Sequence, residues 1–131
     1  MLKTIMVAAA ICRDGNRILA AQRGYGAFRG FWEFPGGKLE AGETPEQALE
    51  RELREEMDIS ISVGSFFMQV EYDYPDFHLS MCCYDCRITA GRPVLKEHMG
   101  MSWLTPDELE ELPWLPADQA VIDALVNGRQ L

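Results

Sequence analysis

The tightest constraint in this 131-residue chain lies between Thr44 and Met57. Thr44 is a capping residue type, Pro45 suits the first helical position and Gln47 can reach back to the cap, so a helix begins near Pro45. At about 100° per residue, Leu53 and Met57 fall about 40° and 80° from Leu49, an apolar stripe suited to packing on a core. Glu56, Glu52 and Glu55 fall about 20°, 60° and 120° to the other side. Three carboxylates share one flank, and one of them borders the buried stripe.

Like charges at these spacings cost roughly 0.2–0.5 kcal/mol per pair on an isolated helix, and more when partly desolvated. The flank therefore calls for a positive partner. Magnesium takes oxygen ligands, keeps several waters and bridges carboxylates to phosphates, so a divalent cation beside a cleft is the natural candidate. Arg51 can pair with Glu55 one turn later. Glu50 and Arg54 form the usual exposed pair on the opposite face, which sets this flank apart from an ordinary solvated acidic face.

Gly37, Glu43 and the run Arg51-Glu52-Leu53-x-Glu55-Glu56-x-x-Ile59 place eight defined positions at fixed spacing across 23 residues. This pattern resembles the box of the Nudix hydrolases, enzymes that cleave a nucleoside diphosphate linked to another group. Asp58 stands where the box normally has glycine; Asp tolerates the left-handed conformation of a helix C-terminal cap better than most residues. The resemblance covers nearly the whole chain and implies an α/β Nudix fold, a mixed β-sheet sandwiched between α-helices, as a single domain over residues 1–131. It implies magnesium, with manganese able to substitute, held by Glu52, Glu55, Glu56, the Gly37 carbonyl and Glu97. Arg51, Glu52 and Glu97 are the implied catalytic residues, and either Glu52 or Glu97 can take the proton of the attacking water.

By the same resemblance, Arg23, Glu33, Phe34, Lys38 and Asp118 bind substrate. In MutT-type members the strand residue before Pro-Gly-Gly lines the base pocket, which gives Phe34 two readings, base stacking or core. Arg23 has the corresponding two, facing the nucleotide or exposed at a strand end. Asp118 is either an acid favoured by the dipole in a helix first turn or the reader of the base edge. A carboxylate accepts hydrogen bonds only, so it favours bases presenting N–H groups. Glu97 is placed by the order of the segments.

The remaining chain reads as strands over 4–12 and 17–23 joined at Asp14-Gly15, and a strand over 31–35 that puts Trp32 and Phe34 on one face. Residues 36–44 are a loop. Two long strands over 60–74 and 77–89 meet around Tyr74-Pro75-Asp76. A strand over 101–104 precedes a short helix capped by Thr105. A final helix opens at Leu115-Pro-Ala-Asp118 with Ala120, Val121, Ala124 and Leu125 on one face and Gly128 beyond its end. His78 has the chemistry of a general acid or base but no visible partner, so it reads as structural or rim.

Composition excludes some classes. The net charge is −9, and residues 40–58 hold eight acids against two arginines, six of those nine charges. A nucleic-acid polymer would be repelled, whereas a small nucleotide carrying its own magnesium is compatible. No apolar run reaches transmembrane length. The apolar opening before Cys12 is short for a signal peptide and leads into a turn, so a cytoplasmic monomer or homodimer is expected, without a membrane partner. Cys83-x-x-Cys86 has zinc-like spacing without a second pair and points to opposite faces of a strand, so the cysteines read as buried small hydrophobes.

The resemblance implies Mg-dependent hydrolysis of a (deoxy)nucleoside triphosphate to the monophosphate and pyrophosphate, with CTP, dCTP or an oxidised nucleotide such as 8-oxo-dGTP as substrate. Hydrolysis of a nucleotide sugar or a dinucleotide such as ADP-ribose is the enzyme alternative. A non-catalytic nucleotide-binding module is the other, disfavoured because every glutamate of the box is present.

Overall fold

A computed structural model describes residues 2–129. In chain order the elements are β1 (Lys3–Asp14), β2 (Arg17–Gln22), β3 (Trp32–Glu33), β4 (Gly36–Lys38), α1 (Pro45–Met57), β5 (Ser60–Asp73), β6 (Phe77–Ala90), β7 (Gly100–Leu104), α2 (Pro106–Leu109) and α3 (Pro116–Arg129). The strands form one mixed sheet ordered β3-β2-β1-β6-β5, with β4 added to β1 and β7 to β2. β1 and β6 run parallel from Lys3↔Phe77 to Cys12↔Cys86. The other strand pairings are antiparallel.

The centre of β1 is Ala8-Ala-Ala-Ile-Cys12, buried throughout, as expected of a strand covered on both faces. Its alternation divides the core. Ala9 and Ile11 point into a layer shared with Phe34, Trp114 and Val121, Ile122 and Leu125 of α3. Ala8, Ala10 and Cys12 point into a second layer with Leu49, Leu53 and Met57 of α1. The helices thus lie on opposite faces of the sheet. Cys83 and Cys86 fall into different layers, and all four thiols are free. No helix among the described residues is long and apolar enough to cross a membrane.

α1 begins as its cap dictates, with Thr44 and Gln47 bonded reciprocally, side chain to backbone amide, at 3.2 and 3.0 Å. It ends at Asp58, which adopts φ 56° and ψ 36° and donates its amide to Arg54 O. Lys96 Nζ reaches the Asp58 carboxylate at 2.7 Å, a charge partner that glycine could not offer.

Three elements differ from the sequence expectation. Only Trp32–Glu33 of the 31–35 segment is strand, and Gly36–Lys38, read as loop, is β4, paired with β1 at Ala9↔Gly36. Any Cβ at Gly36 would collide with the Ala8 carbonyl, so glycine is what permits this close pairing. α3 opens at Pro116 as expected but runs on through Gly128, whose side-chain position faces open space. Its buried face is Ala117, Val121, Ile122 and Leu125, while Ala120 is exposed. Nor does any ion pair among the described residues join Glu50 to Arg54; the arginine that gathers acids here is Arg51.

Candidate active site

β4 lays Gly37 directly against α1. A Cβ there would collide with the Glu52 carboxyl, so glycine leaves that side chain room beside β4. Glu52 Oε1 accepts from Arg51 Nη1 at 2.9 Å. The guanidinium also forks onto both oxygens of Glu43, at 2.7 and 2.9 Å, and donates to the Lys38 carbonyl at 3.0 Å. Glu40 and Glu55 lie 3.4 and 3.5 Å from Nη1. The Arg51 hydrogen bonds hold Glu43 down at about 2, and the Glu43 hydrogen bond raises Arg51 in turn. Arg51 thus ties the 38–43 loop to the helix, a larger role than the Glu55 contact its spacing suggests.

Glu56 is half-buried beside Glu52. Burial first, and then the Glu52 charge, push its carboxyl up to about 7. Among the described ion pairs none includes Glu56. Two carboxylates crowded in this way fit a hard cation. Glu55 and Glu97 stand exposed, and among the described residues no three His, Cys, Asp or Glu side chains are already gathered to hold a metal. The loop carrying Glu97 is pinned by Val94 N to Met57 O at 3.1 Å, Lys96 Nζ to Glu55 O at 3.0 Å and Met99 N to Gln22 O at 2.9 Å.

Beyond this cluster, Arg23 pairs with Glu33 at 3.1 and 3.4 Å and lies 5.6 Å from the Tyr25 ring centroid. His98 Nε2 sits 3.3 Å from Glu33 Oε2. Burial would raise Glu33, but the His98 hydrogen bond and Arg23 outweigh it and hold the carboxyl below its usual range. His98 Nδ1 is buried with no hydrogen-bond partner among the described residues. Asp118 is 5% exposed; its Oδ2 accepts the Phe34 N–H at 2.9 Å, and burial pushes the carboxyl up to about 7 against that bond. Arg23 and Glu33 act electrostatically on Asp118, so the three share one neighbourhood.

Two of the expected substrate residues engage through their backbone in this structure. The Phe34 ring is buried and stacked on Trp114 at 4.9 Å, which is the core reading, while its amide holds Asp118. The Lys38 side chain is exposed, and its carbonyl serves Arg51. His78 has two carboxylate partners within the β5–β6 hairpin, Glu71 at 2.8 Å and Asp73, and so takes the structural position. Sequence reasoning passed over His98 and Tyr74. His98 follows Glu97 directly, a proximity that marks it; Tyr74 appeared only as a turn residue.

The chain matches the NUDIX domain family over residues 7–124. It is 36% identical to an 8-oxo-dGTP diphosphatase of Escherichia coli K12, over 95% of this chain and 98% of that one. It is 34% identical to a CTP pyrophosphohydrolase of the same organism, over 95% and 92%. Among solved structures, the E. coli ORF135 protein superposes with TM-score 0.85 at 33% identity, covering 98% of this chain and 92% of that one. With the box on α1, the fold and the sequence in agreement, the chain belongs to the NUDIX domain family.

Proposed function

We propose that this protein is a MutT-like nucleotide-pool hydrolase that converts a (deoxy)nucleoside triphosphate to the monophosphate and pyrophosphate with magnesium. The observation that carries this reading is the crowding of Glu52, which lies against Gly37, with Glu56, whose carboxyl is raised by burial and by its neighbour's charge. Such a pair is relieved by a divalent cation. Glu52, Glu55, Glu56, Glu97 and the Gly37 carbonyl would hold it. A bound cation lowers the pKa of an attacking water and neutralises charge on phosphoryl oxygens.

The protein's own residues do the positioning. Arg51 fixes the Glu52 carboxylate while Glu43 fixes Arg51. Glu52 or Glu97 accepts the proton of the water. Arg23, held by Glu33, faces the nucleotide. Asp118 spends Oδ2 on the Phe34 amide and offers Oδ1 to N–H groups of a base. The relatives named for 8-oxo-dGTP and CTP support an oxidised purine or a cytosine triphosphate as the substrate. The protein works as a single domain in the cytoplasm on free nucleotides.

The test is pyrophosphate release with magnesium from CTP, dCTP, 8-oxo-dGTP, the ordinary triphosphates and ADP-ribose. The reading predicts one triphosphate ahead by orders of magnitude in kcat/KM and no turnover in EDTA. Cleavage of ADP-ribose alone would replace it by the dinucleotide reading. Binding without cleavage would leave the non-catalytic module.

A further inference from the structure

α3 follows Leu115, whose side chain has no atom that could cap it, and Pro116 at its first position has no N–H. The Asp118 and Gln119 amides turn back to the Leu115 carbonyl at 2.9 and 3.2 Å. That leaves the amide of Ala117, a residue 1% exposed, where an unmade hydrogen bond would be costly. Its acceptor comes from 43 residues away: the Tyr74 hydroxyl, in the turn between β5 and β6, at 3.2 Å. The Tyr74 ring is itself fixed, stacked on Phe77 at 5.1 Å, against Tyr72 at 4.8 Å and edge-on to Phe28 at 5.7 Å.

We propose that Tyr74 is a positioning residue for base recognition: by capping Ala117 it sets the first turn of α3 and so the direction of the Asp118 carboxylate. The inference rests on the reading of Asp118 as the residue that meets the base. Asp118 is then held from both ends, at its backbone through the turn that Tyr74 caps and at Oδ2 by the Phe34 amide. Oδ1 has no partner among the described hydrogen bonds and is the atom left for a ligand. The same ring reaches a second segment. Phe28 belongs to the 24–31 loop, whose base is closed by Arg23 N to Phe31 O at 2.9 Å and Gly30 N to Arg23 O at 2.8 Å. One side chain therefore registers α3, the hairpin turn and the loop next to Arg23.

Tyr74→Phe removes one oxygen and keeps the ring. kcat and KM are measured for the best triphosphate of the panel and for a poor one with a different base, in Tyr74→Phe and in Asp118→Asn. KM for the best substrate rises roughly tenfold, the scale of one lost hydrogen bond. kcat stays within about twofold and the poor substrate is unaffected, so selectivity falls in the same direction as in Asp118→Asn. Amide exchange at Ala117 also accelerates relative to Val121. Equal losses on both substrates, or an unchanged KM or Ala117 exchange rate, overturn the positioning role while a selectivity change in Asp118→Asn preserves the reading beneath it. If Asp118→Asn leaves selectivity intact, both fall.

Discussion

Asp118 shows how a single residue can be held at a cost. Its carboxyl is buried and pushed up to about 7, so the folded state binds more protons than the unfolded chain between the ordinary value of 3.8 and about 7. The sign follows: the folded protein carries the full penalty above pH 7, and the penalty is relieved as pH falls toward 3.8. Asp118→Asn keeps an acceptor for the Phe34 amide without the charge. At about 1.4 kcal/mol per unit, it is expected to stabilise the protein by on the order of 2–4 kcal/mol at pH 8, with the advantage vanishing near pH 4. Denaturant unfolding at the two pH values checks this; a variant no more stable at pH 8 contradicts it. Stability lost in this way is a common trade where a charge serves function, the role proposed for Asp118. Asp58 illustrates the opposite case, an apparent departure from the box that costs little because its φ of 56° is one Asp tolerates and Lys96 adds a partner.

At the scale of elements, α1 was legible because its signals are local: a cap, a proline, a glutamine and a stripe four residues apart. Thr44→Ala removes the cap and should cost about 1 kcal/mol in stability while leaving kcat nearly unchanged, since the glutamates lie two turns further on. Chemical denaturation with parallel kinetics tests both halves; a fall in kcat at full occupancy would show the cap reaching the site. β4 was not legible, because two glycines carry no periodicity and its partner, Ala8-Ala9, lies some thirty residues away. The β5–β6 hairpin adds a pH-dependent clamp. Glu71 and then Asp73 raise His78 by hydrogen bonding, and the His78 bond holds Glu71 down at about 2. The His78 contribution is complete below its unfolded value near 6.5 and is lost as pH rises through the raised folded value. The Glu71 contribution is complete above 4.5 and is lost as pH falls through about 2. Amide exchange around Asp73 and His78 should accelerate on both sides of that window, and His78→Asn should abolish the alkaline limb. An alkaline limb that persists in the variant rules out the clamp.

For the molecule as a whole, the glutamate flank followed from a pattern within a short window, and the sheet with a helix on each face followed from the family resemblance that the box carries. The partnerships between distant segments did not. Glu33 with His98, Phe34 with Asp118 and Tyr74 with Ala117 join residues 43 to 84 positions apart or on separate elements, and no local pattern announces them. They arise because the fold brings β3 to both the 91–99 loop and the start of α3, and the hairpin turn to that same helix start. The acidic charge is gathered on and around α1, where Arg51 pairs with four of the acids. The central claim is that the α1 carboxylates make this charge catalytic. Glu52→Gln, assayed for pyrophosphate release from the best triphosphate at saturating magnesium, tests it most directly. The account predicts an unchanged melting temperature within a few degrees and a kcat lower by roughly 10²–10⁴, the range of a lost acid–base or charge-stabilising group. Near-normal turnover in a folded Glu52→Gln protein would contradict it.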